Sequence, residues 1–277
     1  MIHFHADDGE PIFLEVEGEG TPVVMLHGWT ASHLEWFPFL EELTPRHRVY
    51  RWDARGHGGH ALTKATPPTV QRMARDLSNL FLHFHLRDAV VVGHSMGALT
   101  LWEYIREFGT EGIAKVCVID QSPKLLTDED WEHGIYGDFT AVKARQFVAE
   151  LHDDFAEAVL RLAAYGLNPK TRTRYEKDSN GVQRGREALK RLDPVPLIET
   201  WKSLTAADYR DVLERIDIPA LLIYGGESNF YHVKTGHYVR ERIPQAILHI
   251  YEGTDHSPHQ WQRAQFIRDL TSFIDTP

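Results

Sequence analysis

The chain has almost no cysteine: Cys117 is the only one in 277 residues. An intrachain disulfide is excluded, and a cysteine-based zinc site is left without its ligands. Positive charge is also short, with 30 Lys and Arg against 40 Asp and Glu and a formal net charge of −10. Counterion release needs a basic surface, so nucleic acid is not an expected partner. No apolar run approaches the ~18 residues of a membrane span, so no membrane partner is expected. The opening Met1–Asp8 has neither a basic n-region nor an apolar h-region. A cytoplasmic chain without a secretory leader is therefore the expectation. No G-x-G-x-x-G and no P-loop occurs. Histidine pairs recur (His3/His5, His57/His60, His83/His85, His256/His259). Pairs spaced by one splay apart on a helix, and no metal is expected. Nothing in the sequence demands a cofactor.

What is present is an ordinary globular composition, 42% hydrophobic and 25% charged. A mass of 31.8 kDa corresponds to about 12,000 Å² of folded surface against roughly 46,000 Å² for the unfolded chain. That core needs no staples. Short apolar runs recur at Ile12–Val16, Val23–Leu26, Val49–Trp52, Ala89–Val92, Val116–Ile119, Ala220–Tyr224 and Ile247–Tyr251. Most are nearly continuous, as strands of a sheet covered on both faces must be. Amphipathic stretches at Thr69–His85, Ala98–Phe108 and Trp261–Ile274 alternate with them. This strand–helix alternation predicts a parallel α/β sheet. Ile2–Asp7 and Ile12–Glu17 read as an antiparallel hairpin at one edge.

The rhythm breaks between about Ser122 and Arg215, where helical patterns replace strands (Ala141–His152, Asp154–Tyr165, Arg186–Arg191, Leu197–Leu204). Asn168-Pro169, Ser179-Asn180-Gly181 and Asp193-Pro194-Val195-Pro196 read as interruptions. The expected organisation is a core of residues 1–121 and 216–277 carrying a helical lid, 122–215.

The most informative segment is Ala89-Val-Val-Val-Gly93-His94-Ser95-Met96-Gly97-Ala98-Leu99. A buried strand runs into Gly-x-Ser-x-Gly and an amphipathic helix runs out, the setting of a nucleophile elbow. So tight a turn predicts a strained backbone at Ser95, with glycine on either side because side chains there would collide. It also lifts the Ser95 hydroxyl to a helix N-terminus, where developing negative charge is favoured.

With Val23-Val-Met-Leu-His27-Gly28-Trp29, Asp53-Ala-Arg55-Gly56-His57-Gly58 and Gly253-Thr-Asp255-His256-Ser-Pro258-His259, the chain resembles the α/β-hydrolase superfamily over nearly its whole length. The resemblance implies a mostly parallel eight-stranded sheet flanked by helices, with a helical cap inserted after strand 6. It further implies Ser95 as nucleophile and His256 as base, with His259 and His94 as the nearest competitors for that role. The oxyanion donors would be the backbone N–H groups of Met96 and Trp29. Asp53 and Arg55 read as a structural turn pair.

The acid departs from the common pattern. Many relatives carry Asp three residues after the glycine that ends the strand here written Ala220–Gly225, but this chain has Ser228 there. Glu227 is one residue away. Asp120, at the end of Val116–Ile119, is the other carboxylate on offer, and the order Ser95…Asp120…His256 fits Ser…acid…His. Asp120 is the expected acid and Glu227 the alternative.

The reaction expected is hydrolysis of a small-molecule carboxylic ester, a lactone being a variant. Ser95 argues against dehalogenase and epoxide-hydrolase chemistry, because those relatives use Asp there. Carbon–carbon bond hydrolysis, perhydrolase or cofactor-free haloperoxidase activity, and a non-catalytic ligand-binding relative are the alternatives. Trp36 and His94 are candidates for the substrate wall. The aromatics Trp131, Tyr136, Phe139, Phe147, Phe155 and Trp201 suggest an apolar cleft. The basic residues Arg172 to Arg191 read as a solvated helix face.

Overall fold

The apolar runs pair into one eight-stranded sheet, ordered β1-β2-β4-β3-β5-β6-β7-β8. The structure is a computed structural model that describes residues 1–276. The strands are β1 (Ile2–His5), β2 (Pro11–Glu17), β3 (Thr21–Leu26), β4 (His47–Trp52), β5 (Ala89–His94), β6 (Ile113–Ile119), β7 (Ala220–Gly225) and β8 (Ala246–Tyr251). The two pairings that involve β2, with β1 and with β4, are antiparallel, and the rest are parallel. The fold is the α/β-hydrolase architecture expected from the sequence.

Side chains alternate along the central strands with a period of two. Val24, Leu26, Val91, Val116 and Val118 face one core layer. Val23, Met25, Val90, Val92, Cys117 and Ile119 face the other. Both layers are covered, which is why these strands read as unbroken apolar runs. Helices α2 (Val70–His83) and α3 (Met96–Phe108) cover the first layer, and α1 (Leu40–Leu43) and α11 (Arg263–Asp275) the second. The folded surface is 12172 Å², close to the value expected for this mass. Burial pushes the Cys117 thiol pKa up, so it stays a protonated core residue.

Register fixes where the site falls. Gly93 of β5 lies opposite Leu26 of β3 and Val118 of β6, and Ile119 lies opposite Ile223 of β7. The carboxyl ends of four neighbouring strands therefore meet at one edge, where open α/β sheets bind ligands.

Between β6 and β7 run α4 (Ala141–Asp153), α5 (Phe155–Ala164), α6 (Pro169–Glu176), α7 (Asn180–Leu189) and α8 (Pro194–Ala206). The three expected interruptions are in fact helix starts. Asn168 and Asp193 accept from the N–H groups of Lys170 at 2.9 Å and Val195 at 3.0 Å. Pro169 and Pro194 occupy first-turn positions, where a missing N–H costs nothing. Ser179 precedes α7 at the N-cap position without a side-chain bond. The expected helix Trp261–Ile274 is divided, because Gln262 (φ −117, ψ 56) separates α10 (Pro258–Trp261) from α11. Helix α9 (Val233–Arg242) buries only Thr235, Gly236 and Val239, too thin a stripe to mark it in the sequence. Among the described residues no helix is long and apolar enough to cross a membrane.

Candidate active site

Ser95 sits between β5 and α3 with φ 52 and ψ −115, a conformation an L-residue adopts only under constraint. Its neighbours explain the turn. A Cβ on Gly97 would come within 2.2 Å of the Leu26 carbonyl, and one on Gly93 within 2.7 Å of the Ala98 nitrogen. The backbone N–H of Ser95 is held by the Ile119 carbonyl at 3.1 Å. The backbone N–H groups of Met96 and Trp29 have no acceptor among the described residues. Both residues line the same cavity as Ser95. Met96 is the first residue of α3, so its N–H has no intrahelical partner.

His256 lies in the loop after β8, and its Nδ1 is 2.6 Å from Oδ2 of Asp120. Asp120 follows β6 at φ 44 and is fully buried. Its Oδ1 accepts the Gly225 N–H at 2.9 Å and its Oδ2 the Ser228 hydroxyl at 2.7 Å. A carboxylate surrounded by donors is an acceptor, so Nδ1 of His256 donates and Nε2 keeps its lone pair. Burial pushes the His256 pKa down, against the opposing pull of Asp120. The ring is neutral at pH 7. Phe230 stands edge-on to the ring at 4.5 Å, and the His256 backbone N–H donates to Asn229 Oδ1 at 3.3 Å.

The other carboxylate is elsewhere. The Glu227 side chain is 41% exposed and pairs with Lys170 Nζ at 2.6 Å. Ser228 stands where many relatives carry Asp, and its hydroxyl supports Asp120 while accepting the N–H groups of Phe230 and Tyr231. The sequence marked position 228 as anomalous but gave no hint of this supporting bond.

The cavity is about 560 Å³. Leu99, Leu125, Val159, Leu162, Trp201 and Leu204 give it apolar lining, and Thr30, Ser32, Ser257 and Gln260 polar lining. Trp29 bridges the two parts of the fold: its Nε1 donates to the Leu197 carbonyl at 2.9 Å, and its ring lies 4.7 Å from Trp201.

Several expected positions are corrected. Trp36 is not at the substrate wall; it is 0% exposed in the core, beside Phe39 and His259. His94 borders the cavity, but both ring nitrogens are engaged elsewhere. Its Nδ1 is 2.6 Å from Glu35 and its Nε2 3.0 Å from the His256 carbonyl. Of the aromatics Trp131, Tyr136, Phe139, Phe147, Phe155 and Trp201, only Trp201 lines the cavity. Phe139 and Phe147 pack behind it. Asp53 and Arg55 do not pair with each other. Asp53 accepts from His33 and His60, and Arg55 from its side grips Asp76 and Asp8. In the basic stretch, Arg186 pairs with Glu157 and Asp178, and Arg174 covers the Trp261 ring. None of that stretch reaches the cavity.

One group of three side chains could offer ligand atoms to a metal: Glu35, His94 and His259, all within 4.8 Å. Glu35 accepts the Gly28 N–H at 2.9 Å and His259 Nε2–H at 2.9 Å and lies 2.6 Å from His94 Nδ1, so its oxygens are already engaged. The group is a hydrogen-bonded network.

Buried histidines predict an acid-labile fold. Burial lowers the pKa of His27 and His256, pushes His57 down to about 3 and His259 to about 4, whereas His94 is raised. For a histidine with a depressed folded pKa, the unfolded chain binds the proton first. Its stabilising effect is complete above the unfolded value near 6.5 and is lost as pH falls toward the folded value. Four such groups outweigh the one that is raised. The expected loss below pH 6.5 is on the order of 1 kcal/mol per buried histidine per pH unit. Urea titrations at pH 7.5, 6 and 5 check it. An unchanged midpoint would contradict it.

A mostly parallel sheet, a serine elbow between β5 and α3, and a histidine after β8 backed by a buried aspartate define the α/β-hydrolase class. The chain belongs to the alpha/beta hydrolase family, whose model matches residues 23–269. It is 29% identical over 266 residues to a pimeloyl-[acyl-carrier protein] methyl ester esterase of Chromobacterium violaceum, covering 96% of this chain and 98% of that one. It is 28% identical over 285 residues to a non-heme haloperoxidase of Rhodococcus erythropolis, covering 98% of each. The solved structure of an esterase from Exiguobacterium antarcticum superposes with a TM-score of 0.85 at 21% identity, covering 99% of each chain. The family and the esterase-named relatives support a hydrolase.

Proposed function

We propose that this protein hydrolyses carboxylic esters, lactones among them, through an acyl-enzyme on Ser95. The observation that carries the reading is the His256–Asp120 pair at 2.6 Å, set at the cavity that Ser95 enters. His256 Nε2 takes the Ser95 proton as Oγ attacks the acyl carbon. Asp120 holds the ring in the Nδ1–H tautomer and stabilises the imidazolium that forms. The Met96 and Trp29 N–H groups receive the oxyanion, an environment fixed before the charge develops. His256 then protonates the departing alkoxide, and a water deprotonated by the same nitrogen releases the acid. The helices of 122–215 act as the lid, with Trp29 and Trp201 as its contact to the catalytic edge. The haloperoxidase-named relative favours one second reading, in which hydrogen peroxide replaces water at the acyl-enzyme and a peracid leaves.

Apolar walls and a bounded volume predict acyl chains of short to medium length. Turnover of p-nitrophenyl acetate, butyrate and palmitate tests both the reaction and the size limit. Butyrate is expected to exceed palmitate in kcat/KM by about tenfold or more. A folded wild-type protein that turns over none of them contradicts the reading.

A further inference from the structure

We propose that Glu35 and His94 form a charge pair that sets the oxyanion loop, acting as positioning residues for the Ser95 reaction. The inference rests on the ester-hydrolase reading. Glu35 stands on the 3-10 helix His33–Phe39, seven residues beyond Gly28. Its Oε2 accepts the Gly28 N–H at 2.9 Å, and its Oε1 lies 2.6 Å from His94 Nδ1 and 2.9 Å from His259 Nε2. His94 Nε2 meets the His256 carbonyl at 3.0 Å.

The partners fix the protonation states. Both nitrogens of His94 face oxygens that only accept, a carboxylate and a carbonyl, so both carry protons and the ring is an imidazolium. Glu35 faces donors alone: the Gly28 N–H, His94 and His259. It is therefore a carboxylate. The approach of Glu35 to His94 is too bent for an in-line hydrogen bond, and charge attraction holds it. The side chains are each 8% exposed, where an unpaired charge would be costly. Burial opposes both charges, but each partner's opposite charge prevails: Glu35 is held well below the usual carboxylate range and His94 is raised.

The pair ties together the loops that must be in register for catalysis. Glu35 grips the loop after β3 at Gly28, one residue before the Trp29 donor. His94 is the last residue of β5, next to the nucleophile. Through the His256 carbonyl, and through Gln260 Nε2 on the Glu35 carbonyl at 2.7 Å, the same pair reaches the loop that carries the base. A Cβ at 28 would lie 3.0 Å from His94 Nδ1, so the imidazole would have to give by a few tenths of an ångström. Neutralising Glu35 removes the charge that holds His94 and weakens the grip on the Gly28 N–H, which lets the Trp29 N–H turn away from the developing oxyanion. Ground-state binding in the apolar cavity is untouched.

The test uses Glu35→Gln, His94→Gln and the double variant, with p-nitrophenyl butyrate as substrate and butylboronic acid as a tetrahedral adduct of Ser95. Glu35→Gln is expected to lower kcat by about 10–100-fold, part of what removing a whole oxyanion donor costs. KM should stay within about twofold while boronate affinity falls in step with kcat/KM. His94→Gln should change the same quantities in the same direction. The double variant should be no worse than Glu35→Gln by more than about twofold, because the residues act as one unit. Wild-type kcat and boronate affinity in Glu35→Gln would overturn the proposal, as would a rise in KM alone or fully multiplicative losses. If Glu35→Gln fails to fold by circular dichroism, His94→Gln decides by the same criteria. Failure of the underlying reading looks different: wild type then neither turns over ester nor binds boronate, and the proposal falls with it.

Discussion

Asp120→Asn is expected to lower kcat for p-nitrophenyl butyrate by about 10⁴-fold, with KM little changed. The amide fits the space, so the fold is retained. What changes is the hydrogen-bond sense. Asp120 accepts from Gly225, Ser228 and His256. An asparagine whose oxygen stays on the Gly225 N–H turns its NH₂ toward Ser228 and points a donor at His256 Nδ1. The ring responds by protonating Nε2, the atom that must receive the Ser95 proton. The imidazolium formed during attack also loses its counter-charge. Glu227→Gln, by contrast, is expected to leave kcat within about twofold, because that side chain is engaged with Lys170 at the surface. Steady-state kinetics on the two variants separate the carboxylates. Equal losses, or a larger loss in Glu227→Gln, would place the acid at 227.

Ser95→Ala is expected to remove about 10⁴–10⁶-fold of kcat, while the residual rate still exceeds that in water through the oxyanion donors and binding. Alanine meets the same backbone strain at φ 52 as serine, so the melting temperature should move little. Loss of activity without loss of structure assigns the effect to the missing nucleophile. Retention of most activity would remove Ser95 from the mechanism.

The sheet was legible because central strands covered on both faces must be apolar at every position, as Ala89–Val92 and Ala220–Tyr224 are. The elbow was legible because the steric demand at Ser95 leaves a local trace, glycine at 93 and 97. The contact of Asp120 with His256 was legible by exclusion, once Ser228 stood where many relatives carry Asp. The helices of 122–215 were harder. Asn168-Pro169 and Asp193-Pro194 punctuate a chain in the same letters whether a helix stops or starts, and only the capping bonds tell which. Trp36 misled because a tryptophan after the oxyanion loop suits the core and the pocket equally by composition. Glu35 left a faint signal, a single acid inside the run Leu34-Glu35-Trp36-Phe37. Its partners lie 59 and 224 positions away along the chain (His94 and His259), distances that no local pattern records.

The central claim is that Ser95 is acylated within an intact Asp120–His256–Ser95 relay. Labelling with a p-nitrophenyl alkylphosphonate tests it most directly: an O–P bond forms at the nucleophile and p-nitrophenolate leaves. Peptide mapping by mass spectrometry should find a single stoichiometric adduct on Ser95, formed far more slowly in Asp120→Asn. Ester turnover that persists with no label, or with the label on another residue, would contradict the account.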